Sequence, residues 1–220
     1  MTIELKNIVN TREIYDYMVN LSFPYNYEVE FDTWEKSYLY DIDGEGRTLF
    51  SDLTTIGAYL GSKLIGFIQY GKTAFGFDCD GEISDAVFYP VIRNFYFDEG
   101  QKETGIQLLN EAVKVLSNTE GKIYAFFHYF GMSCYARHGK LFERFGYIHD
   151  LLEQEGFAIE HENMCGKGIG SQCICALKND LFDRGITRFD TDTALSNKVA
   201  QHFYEKNSFV KEGLTRSYYI

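Results

Sequence analysis

Residues Cys165-Gly166-Lys167-Gly168-Ile169-Gly170-Ser171 put three glycines into five positions ahead of a helical run. Glycine has no Cβ, so its backbone can approach a ligand closely and take up conformations closed to other residues. The amides of Lys167 to Ser171 would converge at a helix N-terminus, where the helix dipole favours negative charge. That is a cradle for a phosphate, and Lys167 can add a cation. Further on, the string Phe203-Tyr204-Glu205-Lys206-Asn207-Ser208-Phe209 sets a phenol on a second helix, with Asn197 at its start as a candidate N-cap. A tyrosine with the ordinary pKa of about 10 stays protonated at neutral pH and can give its proton to a leaving group.

These groups need a frame of strands and helices. Residues 54–70 read as two strands around a Gly61-Ser62 turn, and 87–97 as a strand with Pro90 at its entry or at a bulge. Apolar residues at helical spacing run over 102–116. A buried strand is expected at 122–129, a helical stretch broken near Gly146 at 138–155, and a strand at 157–163. The order then repeats: helix 167–182 closing at Gly185, strand 187–193, a helix from Ser196 or Asn197 to Lys206, and extended chain over 209–219. The segment KETGIQLL from Lys102 aligns with KGIGSQCI from Lys167, so the second series echoes the first.

Bulk properties narrow the function classes. A net charge of −11 and a pI near 4.9 argue against a protein that works by neutralising nucleic-acid phosphates, while permitting cationic substrates. Residues 1–20 carry Glu4, Glu13 and Asp16 and lack the apolar core of a secretory signal. No apolar run approaches the roughly 20 residues needed to span a bilayer, so no membrane role is expected. Five cysteines at 79, 134, 165, 173 and 175 are odd in number and unevenly spaced, which fits reduced thiols in a cytoplasmic protein. Cys173 and Cys175 have no second pair to complete a zinc site, so no metal is expected.

The glycine loop and the tyrosine string together resemble the GNAT superfamily of acyl-CoA-dependent N-acyltransferases. The family's cofactor motif is Arg or Gln, two residues, Gly, one residue, then Gly or Ala, at a strand-to-helix junction. Gly168 and Gly170 match its last two marks, and Cys165 stands at the Arg/Gln position. Asn197, Ala200, Phe203, Tyr204, Glu205, Lys206 and Phe209 match the downstream signature, with Ser208 in place of its usual glycine. The first half looks like the same fold with a degraded site: Glu103 replaces a loop glycine and only Gly105 survives. Neither LFERFGY from Leu141 nor LLEQEGF from Leu151 has the tyrosine, since Phe142 or Leu152 stands there.

The resemblance implies an α/β (α+β mixed) fold, with a mostly antiparallel twisted central sheet flanked by helices. It also implies a tandem arrangement: a GNAT-like domain over 1–163, and a C-terminal half over 164–220 that carries the cofactor loop. Those 57 residues lie near the lower limit for an independent core. They should dock on the first copy or on a second chain, the latter giving a homodimer. By resemblance, Met164, Cys165, Gly166, Lys167, Gly168, Ile169, Gly170 and Ser171 hold acetyl-CoA together with Asn197, Ala200, Phe203 and Tyr204. Asn197 would bond the pantetheine arm, or simply cap its helix. Tyr204 would protonate the departing thiolate after an amine of a small molecule or peptide attacks the thioester directly. A protonated amine needs a base, and Asp190, Asp192, Glu160, Glu162, His161 and His128 all stay open for that role. A CoA-binding or regulatory module without turnover is the other reading.

Overall fold

The computed structural model describes residues 2–219 apart from 22–28, 44–45, 81, 136–138, 167–180, 182–183, 186–190, 195, 207–208 and 212. Near the N-terminus β1 (Ile3–Asn7) precedes α1 (Thr11–Asn20), whose N-cap Asn10 accepts a hydrogen bond from the Arg12 amide. Ile14 and Met18, four residues apart, put one face of α1 into the core. In α2 (Phe31–Leu39), Trp34 and Tyr38 repeat that spacing, their rings stacked 4.6 Å apart between centroids.

β2 (Phe50–Leu60) and β3 (Lys63–Thr73) form the expected hairpin, with Gly61 at φ +67° in the turn. A small hairpin follows, β4 (Gly76–Phe77) with β5 (Ile83–Ser84). All eight residues of β6 (Pro90–Phe97) are buried, so the strand is covered on both faces. Pro90 sits at its first position, where a missing N–H costs least. The helix expected at 102–116 is α3 (Lys102–Leu116); it turns Thr104, Gly105, Leu108, Leu109, Ala112 and Leu116 inward.

The expected strand at 122–129 shrinks to β7 (Tyr124–Ala125), because the chain turns sharply at Phe126, which has φ +54°. After an excursion, β8 (Leu141–Phe142) resumes on the same line: Ala125 and Tyr124 face Tyr218 and Tyr219, while Leu141 and Phe142 face Arg216 and Thr215. The helix expected to be broken near Gly146 begins there instead, as α4 (Gly146–Gln154). β9 (Ala158–Gly166), β10 (Thr191–Ala194), α5 (Lys198–Lys206) and β11 (Gly213–Tyr219) complete the chain. Gly185 has φ +77°, as a helix-ending glycine requires, whereas the helix expected at 167–182 falls almost wholly outside the described residues.

One nine-stranded sheet runs β1-β2-β3-β6-β7-β11-β9-β10, with β8 paired to β11. β6 and β7 are parallel, and among the described residues every other ladder is antiparallel. The C-terminal segment is thus built into the sheet of the N-terminal one through β11, which lies between β7 and β9. β9 and β10 pair antiparallel, unlike β6 and β7, so the echo of element order is not an echo of topology. Among the described residues no helix is long and apolar enough to cross a membrane.

Candidate active site

The sheet opens where β6 parts from β7. Their ladder holds only Val91 opposite Tyr124 and Ile92 opposite Ala125, extended by the Phe126 amide donating to the Ile92 carbonyl at 2.9 Å. The other edge of β6 bulges at the same point: Gln69 faces Asn94 and Tyr70 faces Ile92, which leaves Arg93 as the extra residue. A bulge re-aims side chains and bends its strand. Beyond it, β6 on one side and β8 on the other border a cleft of about 40 Å³. Arg93, Asn94, Tyr96, Phe126, Met132, Tyr135, Lys140 and Phe142 line it, and Met18 reaches in from α1.

Arg93 is wholly buried and tied on several sides. It donates to the Tyr38 and Ser37 carbonyls at 2.9 and 2.8 Å, to the Gly131 carbonyl at 2.9 Å and to Asp41 Oδ2 at 3.0 Å. Its guanidinium lies 4.3 Å from the Phe50 ring centre. A cation suits this place, since the last carbonyls of α2 point their negative dipole at it. Burial pulls the Arg93 pKa down to about 10 against the attraction of Asp41, so the side chain is charged at neutral pH. Asp41 accepts from the Ser133 amide at 2.7 Å and from Ser37 Oγ at 3.2 Å. The ion pair therefore pins segment 131–133, one wall of the cleft, to the end of α2. Asn94 joins in: its amide donates to Gln69 Oε1 at 2.8 Å, and Gln69 donates to the Tyr38 carbonyl at 2.8 Å.

Phe126 stands at the mouth of the divergence with positive φ, a conformation that costs a non-glycine residue on the order of 1–3 kcal/mol and gathers at functional sites. Its ring meets Tyr96 edge-to-face at 5.7 Å. Burial pushes the Tyr38 and Tyr96 phenols upward, so neither ionises near neutral pH. Burial also pushes the Cys134 thiol up to about 11, which makes it an inert thiol rather than a nucleophile.

The described residues singled out by motif lie on β9, across β11 from the cleft, and at or in α5, which packs against β9. Met164, Cys165 and Gly166 end β9, where Met164 pairs with Leu214 and Thr193, Cys165 with Gly213 and Asp192, and Gly166 with Thr191. Lys167, Gly168, Ile169, Gly170 and Ser171 lie outside the described residues, as does the Phe203 side chain. Asn197 does cap α5: its Oδ1 accepts from the Ala200 amide at 3.0 Å. Tyr204, two turns along on the same face, is half-buried, its ring edge-to-face with the buried Phe209 at 6.1 Å. α5 packs against β9, and Gln201 donates to the Ala194 carbonyl at 3.2 Å, tying α5 to the end of β10. Of the candidate bases, His128 packs against Tyr129 and is not among the residues that line the cleft, Glu160, His161 and Glu162 are on β9, Asp192 is on β10, and Asp190 is outside the described residues.

β7 and β8 run antiparallel to β11, and β11 runs antiparallel to β9, so β6, β8 and β9 all point the same way. The end of β9 that enters the glycine loop is therefore at the same edge of the sheet as the open end of the cleft. Motif reasoning missed the cleft, including Arg93, Asn94 and Asp41. The signal was present: an arginine and an asparagine in the middle of VIRNFYF, a strand otherwise fit for full burial.

Residues 15–209 match the model of the acetyltransferase (GNAT) family. A comparison with curated proteins finds no match. Among solved structures, the IAA acetyltransferase from Bacillus cereus ATCC 14579 is similar over 100% of this chain and 99% of its own, at 13% identity and a TM-score of 0.48. A GNAT-family acetyltransferase from Streptococcus pneumoniae is similar over 100% and 99%, at 11% identity and a TM-score of 0.47. Arabidopsis thaliana Naa50, in complex with the bisubstrate analogue CoA-Ac-MVNAL, is similar over 74% of this chain and 87% of its own, at 14% identity and a TM-score of 0.42. Likenesses this distant carry nothing across about substrates.

Proposed function

Because the chain belongs to the acetyltransferase (GNAT) family, we propose that it transfers an acetyl group from acetyl-CoA to an amine by direct attack on the thioester. In this reading residues 164–220 supply the cofactor loop to the sheet of 1–163. The amides of Lys167 to Ser171 take the pyrophosphate, aided by the backbone approach that Gly166, Gly168 and Gly170 allow. Met164, Cys165, Asn197, Ala200 and Phe203 flank the cofactor, the acetyl group points toward the cleft between β6 and β8, and Tyr204 returns a proton to the leaving sulfur.

The observation that supports this reading is the common direction of β6, β8 and β9, which brings the end of β9 and the cleft to one edge of the sheet. The other strand-to-helix junction, from β6 to α3, suits an anion poorly. Glu103 already lies in the first turn of α3 and accepts a bond from Gln107 at 3.0 Å, so negative charge occupies that dipole.

Acetyl-CoA should bind the purified protein and raise its melting temperature. Gly168→Glu should abolish that binding, whereas Lys102→Glu at the start of α3 should leave it nearly unchanged. Tyr204→Phe should keep the affinity and slow thiol release about 100-fold. Loss of affinity in Lys102→Glu and not in Gly168→Glu would move the cofactor to α3. Binding without thiol release toward any acceptor would favour the non-catalytic module.

A further inference from the structure

We infer that Asp41 is a positioning residue for acyl transfer: through the Ser133 amide it sets the wall of the cleft that carries Gly131, Met132 and Tyr135. This rests on the acetyltransferase reading above and names a residue that acts on the reaction without touching a substrate.

Four unfavourable features meet here. Asp41 follows the C-cap of α2 and has φ +50°, a backbone state in which helix ends ordinarily use glycine or asparagine. Phe126, on the cleft lining, has φ +54°. Arg93 is the extra residue of a bulge in β6. Its Nε is buried with no hydrogen-bond partner among the described residues. A buried ion pair is weak evidence of stability, because desolvation of both charges offsets their attraction. Stability alone gives no reason to gather these features in one place, whereas holding a wall in one geometry does.

The Asp41 carboxylate reaches that wall by a direct bond. Its Oδ2 accepts from the Ser133 amide at 2.7 Å, and Ser37, one turn earlier on α2, accepts through Oγ from the Cys134 amide at 3.4 Å. These are the first two amides of the short turn Ser133–Tyr135, and the leading N–H groups of a helical turn have no partner within it. Held from α2, the segment keeps Met132 and Tyr135 on the cleft lining. Asn94 Nδ2 donates to Met132 Sδ at 3.7 Å, which joins the wall to β6 beyond the bulge. Arg93 completes the frame, donating to the Gly131 carbonyl and to Asp41 Oδ2. The pair neutralises itself, so its effect on the cleft is one of geometry and not of a charge offered to a ligand.

The test exploits the backbone at position 41, which suits both asparagine and glycine. Asp41→Asn and Asp41→Gly both remove the charge beside Arg93, but only asparagine keeps an oxygen for the Ser133 amide. The full chain is assayed for thiol release from acetyl-CoA with hydroxylamine as a small acceptor. We expect kcat to fall about tenfold or more in Asp41→Gly and less than about threefold in the conservative Asp41→Asn, with KM for acetyl-CoA within about twofold of wild type in both. Equal kcat in the two variants, or wild-type kcat in a folded Asp41→Gly protein, overturns the proposal. A second readout needs no turnover: iodoacetamide modification of half-buried Cys134, read by peptide mass against exposed Cys79. Asp41→Gly should raise the ratio of the two rates about fivefold or more, and Asp41→Asn should not. An unchanged ratio in Asp41→Gly, or an equal rise in both variants, overturns the proposal. Trp34 emission checks the fold. Should Asp41→Gly not fold, Asp41→Glu, which keeps the charge and displaces the oxygens by a methylene, takes its place with the same expectations. Failure of the wild type to bind acetyl-CoA sinks the acetyltransferase reading alone. In that case, or if hydroxylamine is not accepted, the Cys134 ratio decides whether Asp41 holds the wall.

Discussion

β6 passes into α3 and β9 ends at the same edge of the sheet, and each of these two ends has glycine in or just after it. Where β6 passes into α3, Gly105 is a packing residue: a Cβ there would come within 2.6 Å of the Phe97 ring and 2.7 Å of Leu151. The helix start next to it already carries Glu103. Where β9 ends, three glycines follow within five residues and the loop itself carries Lys167 and no acid. Gly105 lets two helices and a strand close together; in the proposed function the three glycines open a backbone to the cofactor.

The comparison can be broken first at the frame. Arg93→Ala removes the cation from beneath α2 and leaves Asp41 buried without its ion-pair partner, so a loss of about 3–5 kcal/mol is expected. Urea unfolding followed by the emission of Trp34, buried on α2, reads it. A loss under 1 kcal/mol would mean the pair does not hold the cleft wall.

Gly105→Val sharpens the contrast between the glycines. It should destabilise by about 2 kcal/mol through overpacking against Phe97 and Leu151, yet leave acetyl-CoA affinity intact in the folded protein. Gly168→Glu should do the opposite. Calorimetric melting and a binding isotherm on each variant decide the matter; lost affinity in Gly105→Val would merge the two roles.

A smaller effect is expected in the C-terminal region. Asn197→Ala removes the bond to the Ala200 amide and should cost about 1 kcal/mol if capping is its role. A large drop in acetyl-CoA affinity with little change in melting temperature would assign it to the cofactor instead.

The mildest perturbation is alkaline pH. Cys134 is raised from 9.0 to about 11 and Tyr147 from 10.0 to about 12, both chiefly by burial, and burial raises Tyr38 and Tyr96 as well. Each group holds its proton more tightly folded than unfolded. Their contribution is therefore full below pH 9.0 and is lost as the pH climbs through 11 and 12. Melting temperature against pH should fall over that window. A melting temperature that stays flat through that window would contradict the burial of these groups.

Elements carried by local pattern were legible in the chain. The period of 102–116 became α3 because its apolar residues recur on one helical face, and the Gly61-Ser62 turn formed where left-handed backbone was needed. The Asn197 cap and the family signature could also be read directly, since both depend on residues a few positions apart. The expected strand at 122–129 was shortened because β7, β11 and β8 set where pairing stops, and that depends on a strand from the far end of the chain.

The amino-acid sequence by itself determined the family, the mixed α/β elements and the glycine loop with its downstream tyrosine. Tertiary structure alone decided the cleft. Arg93 faces Asp41 across 52 positions and Ser133 reaches Asp41 across 92, partners that no local spacing predicts. A buried charge must find its counter-ion wherever the fold brings one, and the wall of the cleft follows from that pairing.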